Sequence, residues 1–309
     1  MKKLALVLAA VMIALMAFTA CSADSSTASE SASANESASA EATEEASTSA
    51  EATEEASTEA SSDAADDTVI RVGASPTPHA EILAEVADAL AAEGYTLEVV
   101  EFTDYILPNV SLADGELDAN YFQHITYLND YNDNNGTDLV SAAGIHYEPF
   151  AIYSENISSL DELQDGDSIA VPNDPTNEAR ALLLLQEQGL ITLKDGAGLQ
   201  ATALDIEENP KNLQLVEIEA AQLPRSLPDV AAAVINGNYA LDAGLSALND
   251  SLAVESSDSD TAQAYTNVIA VVSGNENSEK VQALVNALKS DDVKAFMETT
   301  YNGNVVAVF

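Results

Sequence analysis

The sequence has a single cysteine, no tryptophan and very little positive charge. Cys21 has no second cysteine to pair with, so neither an intrachain disulfide nor a thiolate metal cage can form. Ten lysines and arginines stand against 52 acidic residues, for a formal net charge of -42. Such a chain lacks the clustered cations that nucleic acid or an anionic membrane surface requires. Arginine is scarcest among the charged residues, with only Arg71, Arg180 and Arg225. Catalytic signatures are missing as well. Three histidines, at 79, 124 and 146, form no HExxH motif, there is no GxSxG and no Walker loop, and the many carboxylates show no metal-binding spacing above background. No catalytic residue, cofactor or metal is expected.

What is present begins at the N-terminus. Lys2 and Lys3 precede an apolar run from Leu4 to Phe18, followed by small residues and Cys21, which is the pattern of a signal peptide over residues 1–20. The segment "FTAC" resembles a bacterial lipobox, in which the cysteine is lipid-modified, with palmitate among its acyl chains, and becomes the new N-terminus. A lipid anchor at Cys21 on the extracytoplasmic face of the cell membrane is therefore expected. Residues 22–67 contain only Ala, Ser, Thr, Glu, Asp and one Asn, and "EATEEASTSA" is followed at once by "EATEEASTEA". Thirteen acidic side chains and nothing larger than Glu bury too little apolar area to offset the entropy of ordering. Residues 21–67 read as a lipidated cysteine with a disordered acidic tether, whose coil reach is roughly 35–40 Å.

From Thr68 the pattern turns globular. "VIRVGAS" reads as a buried strand, "PHAEILAEVADALAAEG" as an amphipathic helix stopped by Gly94, and "YTLEVVEF" as the next strand, a βαβ unit that predicts a parallel sheet. Helix-like "DYILPNVSLADG", strand-like "ELDANYF" and helix-like "HITYLNDYND" follow. After "YEPFAIYS" a second cycle opens: Ser159 and Glu162 stand at capping-box spacing, "DSIAVPND" is a strand and loop, and Pro175 to Gln188 is a helix ended by Gly189. Strands at "LQLVEI", "AAAVI" and "NVIAVVS" and helices at "SEKVQALVNAL" and "DDVKAFMETT" complete two α/β halves. The expected division is a first lobe over 68–150, a second over 151–266, and a return to the first over 267–309.

The stretch "NDPTNEARALLLL" carries one of the three arginines. Asp174 or Thr176 caps its helix and Pro175 or Asn177 opens the first turn, leaving free N–H groups there. Arg180 falls three residues after Asn177 on the same face, and a guanidinium beside a helix N-terminus suits a carboxylate or phosphate. Because Leu182 to Leu185 anchor the helix, Arg180 must face away from the core or be paired; a surface arginine answering Glu178 or Asp174 is the plain alternative. Tyr121, Phe122 and His124 close one strand, and His146 and Tyr147 precede the proposed crossover, so aromatic walls stand available, although each taken singly also fits a core. Asn236 follows a strand and Asn267 precedes one; each amide could serve an ammonium or a carboxylate, and either could be a turn residue.

The segments "VGASPTPHAEIL", "DGELDANYFQHITYL", "YEPFAIYS", "IAVPNDPTNEARALLLLQEQGLI", "QLPRSLPDVAAAVINGNYAL" and "FMETTYNGNVVAVF", in this order, resemble the NlpA lipoprotein family, the methionine-binding lipoproteins of ABC importers. The resemblance implies an α/β fold of the type II periplasmic-binding-protein kind, with two lobes, two crossover strands and a ligand cleft between the lobes. It implies a monomeric, non-enzymatic carrier of methionine, in L or D form, that serves an ABC permease with its ATPase. Another apolar amino acid or a methionine-containing dipeptide is the alternative ligand. By this resemblance Arg180 would hold the ligand carboxylate, Asn236 and Asn267 would fix its amino and carboxylate groups, Tyr121, Phe122, His124 and Tyr147 would surround its side chain, and Asn177 would support the Arg180 loop. Two rivals belong to other classes. A surface hydrolase would need a nucleophile with its base, which the sequence does not show, and a tethered adhesin would bind a macromolecule and ignore amino acids.

Overall fold

The structure, a computed structural model, describes residues 67–256 and 263–309; the expected signal peptide, Cys21 and nearly all of the tether lie outside them. In chain order the first lobe opens with β1 (Val69–Ala74), α1 (Glu81–Ala92), β2 (Thr96–Glu101), α2 (Leu107–Ala113), β3 (Ala119–His124), α3 (Ile125–Asn135) and β4 (Leu139–Tyr147). The second lobe carries β5 (Ala151–Tyr153), β6 (Ser168–Pro172), α4 (Pro175–Glu187), β7 (Thr192–Leu193), β8 (Ile206–Glu208), β9 (Gln214–Ile218), α5 (Leu223–Ser226), β10 (Ala232–Ile235), α6 (Gly237–Asp242) and β11 (Ala253–Val254). The chain then returns through β12 (Asn267–Val272), α7 (Glu279–Leu288), α8 (Asp291–Tyr301) and β13 (Val306–Ala307).

Two sheets result. The first has the order β13-β4-β12-β3-β1-β2 and the second β11-β5-β10-β6-β9. The βαβ unit makes β1 and β2 parallel, and β3 joins β1 in parallel as well. The first sheet is nevertheless mixed. Returning strand β12 inserts antiparallel between β3 and β4, beside the parallel pairing expected of the first cycle. Its insertion also explains the core. Ile269 and Val271 of β12 and Leu284, Leu288 and Met297 of the closing helices share one apolar cluster with Ile70, Val72, Leu83 and Leu90.

Helix α4 shows how locally the second lobe is specified. Asp174 accepts from the Asn177 N–H as its cap, Pro175 fills the first position, and Gly189 at φ 70° lets the chain turn away. Thr176, the other candidate cap, instead donates its hydroxyl to Asp174. Leu182, Leu184 and Leu185 pack with Phe150, Ile152, Ile169, Val171 and Val234 in the second core. The capping box expected at Ser159 does not form a helix. Residues Leu160–Glu162 make one 3-10 turn, in which Ser159 accepts from the Asp161 N–H and Glu162 reaches the Ser158 N–H.

Chain direction then positions the site. Parallel strands end at their carboxyl edges where the open α/β arrangement leaves room for a ligand; β3 ends on His124, and β1, β6 and β10 deliver His79, Asn177 and Asn236 beyond their ends. The chain crosses between the sheets twice, at residues 148–150 and again between Val254 and Asn267.

Candidate functional site

A cavity lies among these strand ends. Its walls come from both lobes. The first contributes Tyr105, Phe122, Gln123, His124, Tyr127 and Asn267; Asn177, Arg180, Asn236, Gly237 and Asn238 come from the second, with Glu148 at the first crossing.

Arg180 is buried and paired, though not by Glu178 or Asp174. Its Nε and Nη2 donate to Glu255 Oε2 at 3.0 and 2.6 Å, and Nη2 also donates to the Glu148 carbonyl at 2.9 Å. Tyr265, Phe150 and Tyr147 surround the guanidinium carbon with ring centroids 4.2, 4.7 and 5.6 Å away. Burial opposes the charge, but Glu255 and Tyr147 outweigh it and hold the guanidinium above its ordinary value. The hydrogen bonds of Arg180 to described residues use Nε and Nη2, and the residue forms part of the cavity wall.

A chain of amides runs beside it. Asp174 accepts from both the backbone and the side-chain nitrogen of Asn177, which turns the Asn177 Oδ1 toward the cavity. That oxygen accepts from Asn236 Nδ2 at 2.8 Å and from His124 Nε2 at 3.2 Å. The tautomer of His124 follows from its Nδ1, which accepts the Tyr127 N–H that begins α3. Burial, reinforced by the Arg180 charge, pushes His124 down to about 3, so it is neutral. Asn236 Oδ1 is left buried with no partner. Among the cavity residues described, it is the one side-chain atom so stranded, and an unmet buried acceptor marks a place for a donor from a ligand.

A second group of polar side chains lies at the first crossing. His146 Nδ1 accepts a hydrogen bond from the Tyr121 hydroxyl, and its Nε2 donates to Glu148 Oε1 at 2.8 Å. His79 Nε2 lies 3.1 Å from Asn267 Oδ1 and 3.5 Å from Glu148 Oε1. Burial pushes His79 to about 4 and His146 to about 3, and raises the Glu148 carboxyl. The donor atoms of His79, His146 and Glu148 fall within 4.8 Å of one another, a spacing a metal could use. Two features favour a hydrogen-bonded carboxylate cradle instead. Both imidazole Nε2 atoms face acceptors as N–H donors, and His79 Nδ1 has no partner, whereas a metal-bound imidazole donates its other N–H.

Six of the eight expected ligand residues, Phe122, His124, Asn177, Arg180, Asn236 and Asn267, line the cavity together. Tyr121 and Tyr147 do not. Strand alternation points Tyr121 away from Phe122 into the first core, where its hydroxyl meets His146. Tyr147 donates to Glu255 at 2.8 Å and stands behind Arg180. Sequence reasoning missed Tyr105, Gln123, Tyr127, Glu148, Asn238, Glu255 and Tyr265. Glu148 carried a signal, since it lies within "YEPF" beside Tyr147; Glu255 was one acid among 52.

The NlpA lipoprotein family model matches residues 70–309. The chain belongs to that family. It is 48% identical over 245 residues to the D-methionine-binding lipoprotein MetQ of Salmonella typhimurium, covering 78% of this chain and 89% of that one. A putative lipoprotein from Ruminococcus gnavus is 58% identical, with a TM-score of 0.77 over 78% of this chain and all of that one. A nutrient-binding protein from Burkholderia cenocepacia, solved bound to methionine, is 47% identical, with a TM-score of 0.74 over 78% of this chain and all of that one. The two lobes with their intervening cleft are the type II periplasmic-binding-protein fold expected from the sequence.

Proposed function

We propose that this protein is a lipid-anchored substrate-binding protein that captures methionine outside the cell and hands it to an ABC permease. The observation that carries the proposal is the cavity lined by both Arg180 and Asn236, whose Oδ1 is buried without a partner, together with aromatic walls. A zwitterion suits both: a carboxylate for the Arg180 guanidinium and an ammonium for the unpartnered Asn236 oxygen. Phe122, Tyr105 and Tyr127, with ring centroids 5.8 to 6.1 Å apart, offer the apolar and polarizable surface that suits a thioether. Relatives named for D-methionine binding and a relative solved with methionine support the same ligand. The site performs no chemistry; the contacts His124 to Asn177 and Tyr105 to Asn238 join the two lobes, so ligand and closure favour one another.

Mass spectrometry of small molecules released on denaturing the purified chain tests the ligand. Methionine is the expected species, and a preparation that releases no amino acid and takes up none contradicts the reading. For the anchor, metabolic labelling with a fatty-acid analogue should mark the wild type and spare Cys21→Ser; equal labelling of the two removes Cys21 from that role.

A further inference from the structure

His79 is fully buried and does not line the cavity, yet its imidazole ends on a residue that does. Its Nε2 lies 3.1 Å from Asn267 Oδ1, a partner 188 positions away in the sequence. Burial keeps the ring neutral by pushing it down to about 4, and a carbonyl oxygen can only accept, so the one ring proton sits on Nε2 and His79 donates. The other nitrogen agrees. His79 Nδ1 is buried with no partner, and a bare acceptor is tolerated there more readily than a stranded N–H. Glu148 Oε1 is the more distant neighbour, 3.5 Å from the same Nε2, and takes its own 2.8 Å bond from His146. Asn267 is therefore the acceptor that His79 serves.

The imidazole has little freedom to turn away. The Tyr121 ring meets it edge-on, with centroids 4.7 Å apart at 84°, and the His146 ring stands 5.1 Å off at 56°. Because the Tyr121 hydroxyl bonds His146 Nδ1, the two rings that flank His79 also fix each other. Three buried rings thus form a clamp behind Asn267.

At the other end of the bond the consequence is chemical. Asn267 opens β12 where the chain re-enters the first lobe, and it lines the cavity. Its Oδ1 is engaged by His79, and among the described residues no hydrogen bond uses its Nδ2. A primary amide has one carbonyl and one NH2, so holding the first presents the second. Turned over, the same side chain would show a ligand carboxylate an oxygen where it now shows a donor. The His79 bond is what separates the two orientations.

We propose that His79 is a positioning residue of the binding site: without touching the ligand, it holds the Asn267 amide so that Nδ2 faces the cavity as a donor, with Tyr121 and His146 keeping its ring in place. This rests on the amino-acid reading of the site and deepens it. Tyr121, expected from the sequence to touch the ligand, serves it at two removes.

Calorimetric titration of the full chain with methionine, after carried ligand has been removed by reversible unfolding, tests this in a double-mutant cycle. His79→Phe keeps a ring and removes the donor. It should lose about 10- to 100-fold in affinity, the range of one hydrogen bond to a charged group. In an Asn267→Ala background the same substitution should cost less than about threefold, because the amide it positions is gone. A merely structural histidine would weaken binding equally in both backgrounds; that result overturns the proposal, as does His79→Phe binding like wild type. Nitrogen NMR of wild type decides the matter should His79→Phe fold poorly, since it reads the tautomer directly. Nε2–H is expected, and Nδ1–H overturns the proposal. Wild type that binds no methionine overturns the proposed function and this inference with it, whereas wild type that binds methionine with no coupling between positions 79 and 267 overturns this inference alone.

Discussion

Arg180 and Glu255 form a buried ion pair of 2.6 Å that ties the first turns of α4 to the second crossing between the lobes, while the same Nη2 holds the Glu148 carbonyl of the first crossing. One guanidinium thus fastens both connections. Removing one partner of such a pair leaves the other buried and uncompensated. Arg180→Ala is expected to lose about 3–5 kcal/mol of stability, and the double variant Arg180→Ala/Glu255→Ala to recover part of that loss. Urea denaturation measures both. A double variant less stable than Arg180→Ala would show that the pair is not the source of the effect.

Gly237 is expected to tolerate no side chain. The Cβ of Gly237→Ala would meet Glu148 at 2.6 Å, and overpacking of this kind costs about 1–3 kcal/mol. Thermal melting should fall accordingly, with methionine affinity falling too because Glu148 is displaced. An alanine variant that melts and binds like wild type contradicts the close approach.

Across the cleft, Tyr105 of the first lobe donates to Asn238 Oδ1 at 2.5 Å, and Tyr239 of the second donates to the Thr103 carbonyl at 3.1 Å. Tyr105→Phe keeps the ring and removes one bond worth about 0.5–1.5 kcal/mol. Methionine affinity should drop roughly two- to tenfold, seen by equilibrium dialysis, with the fold of each lobe unchanged by circular dichroism. Unaltered affinity removes Tyr105 from closure.

Acid should weaken the fold through its buried histidines. Burial and the neighbouring Arg180 lower His124 from 6.5 to about 3. The unfolded chain therefore takes a proton near pH 6.5 and the folded chain does not, so stability is whole above that pH, declines through the window below it, and has lost this contribution by about pH 3. His79 and His146 act in the same sense. Glu148 and Asp174, raised by burial, act in the opposite sense, since they bind protons more readily when folded. His124→Gln should consequently show a shallower fall of melting temperature from pH 6.5 toward pH 4 than wild type; parallel curves would contradict the assignment.

Local chemistry made much of this molecule legible before its structure. Asp174, Pro175 and Gly189 delimit α4 almost to the residue, because caps and breakers act within one turn. The leucines behind Arg180 required only that it face away from the core or be paired, and left its burial open. Its partner was not legible, because Glu255 lies 75 residues away in an acidic stretch where any carboxylate looks alike. Strand β4 escaped notice for a related reason: in "LVSAAGIHY" the alternation is blurred by small residues, and the register against β12 shifts twice along it. Tyr121 and Phe122 were both assigned to the ligand, although neighbours in a strand face opposite sides.

A crystal structure of the protein grown with methionine tests the central claim most directly. The expected result is one methionine in the cavity, its carboxylate on the Arg180 guanidinium and its ammonium within hydrogen-bonding reach of Asn236 Oδ1. Methionine absent from the cavity, or seated there with its carboxylate turned away from Arg180, would contradict it.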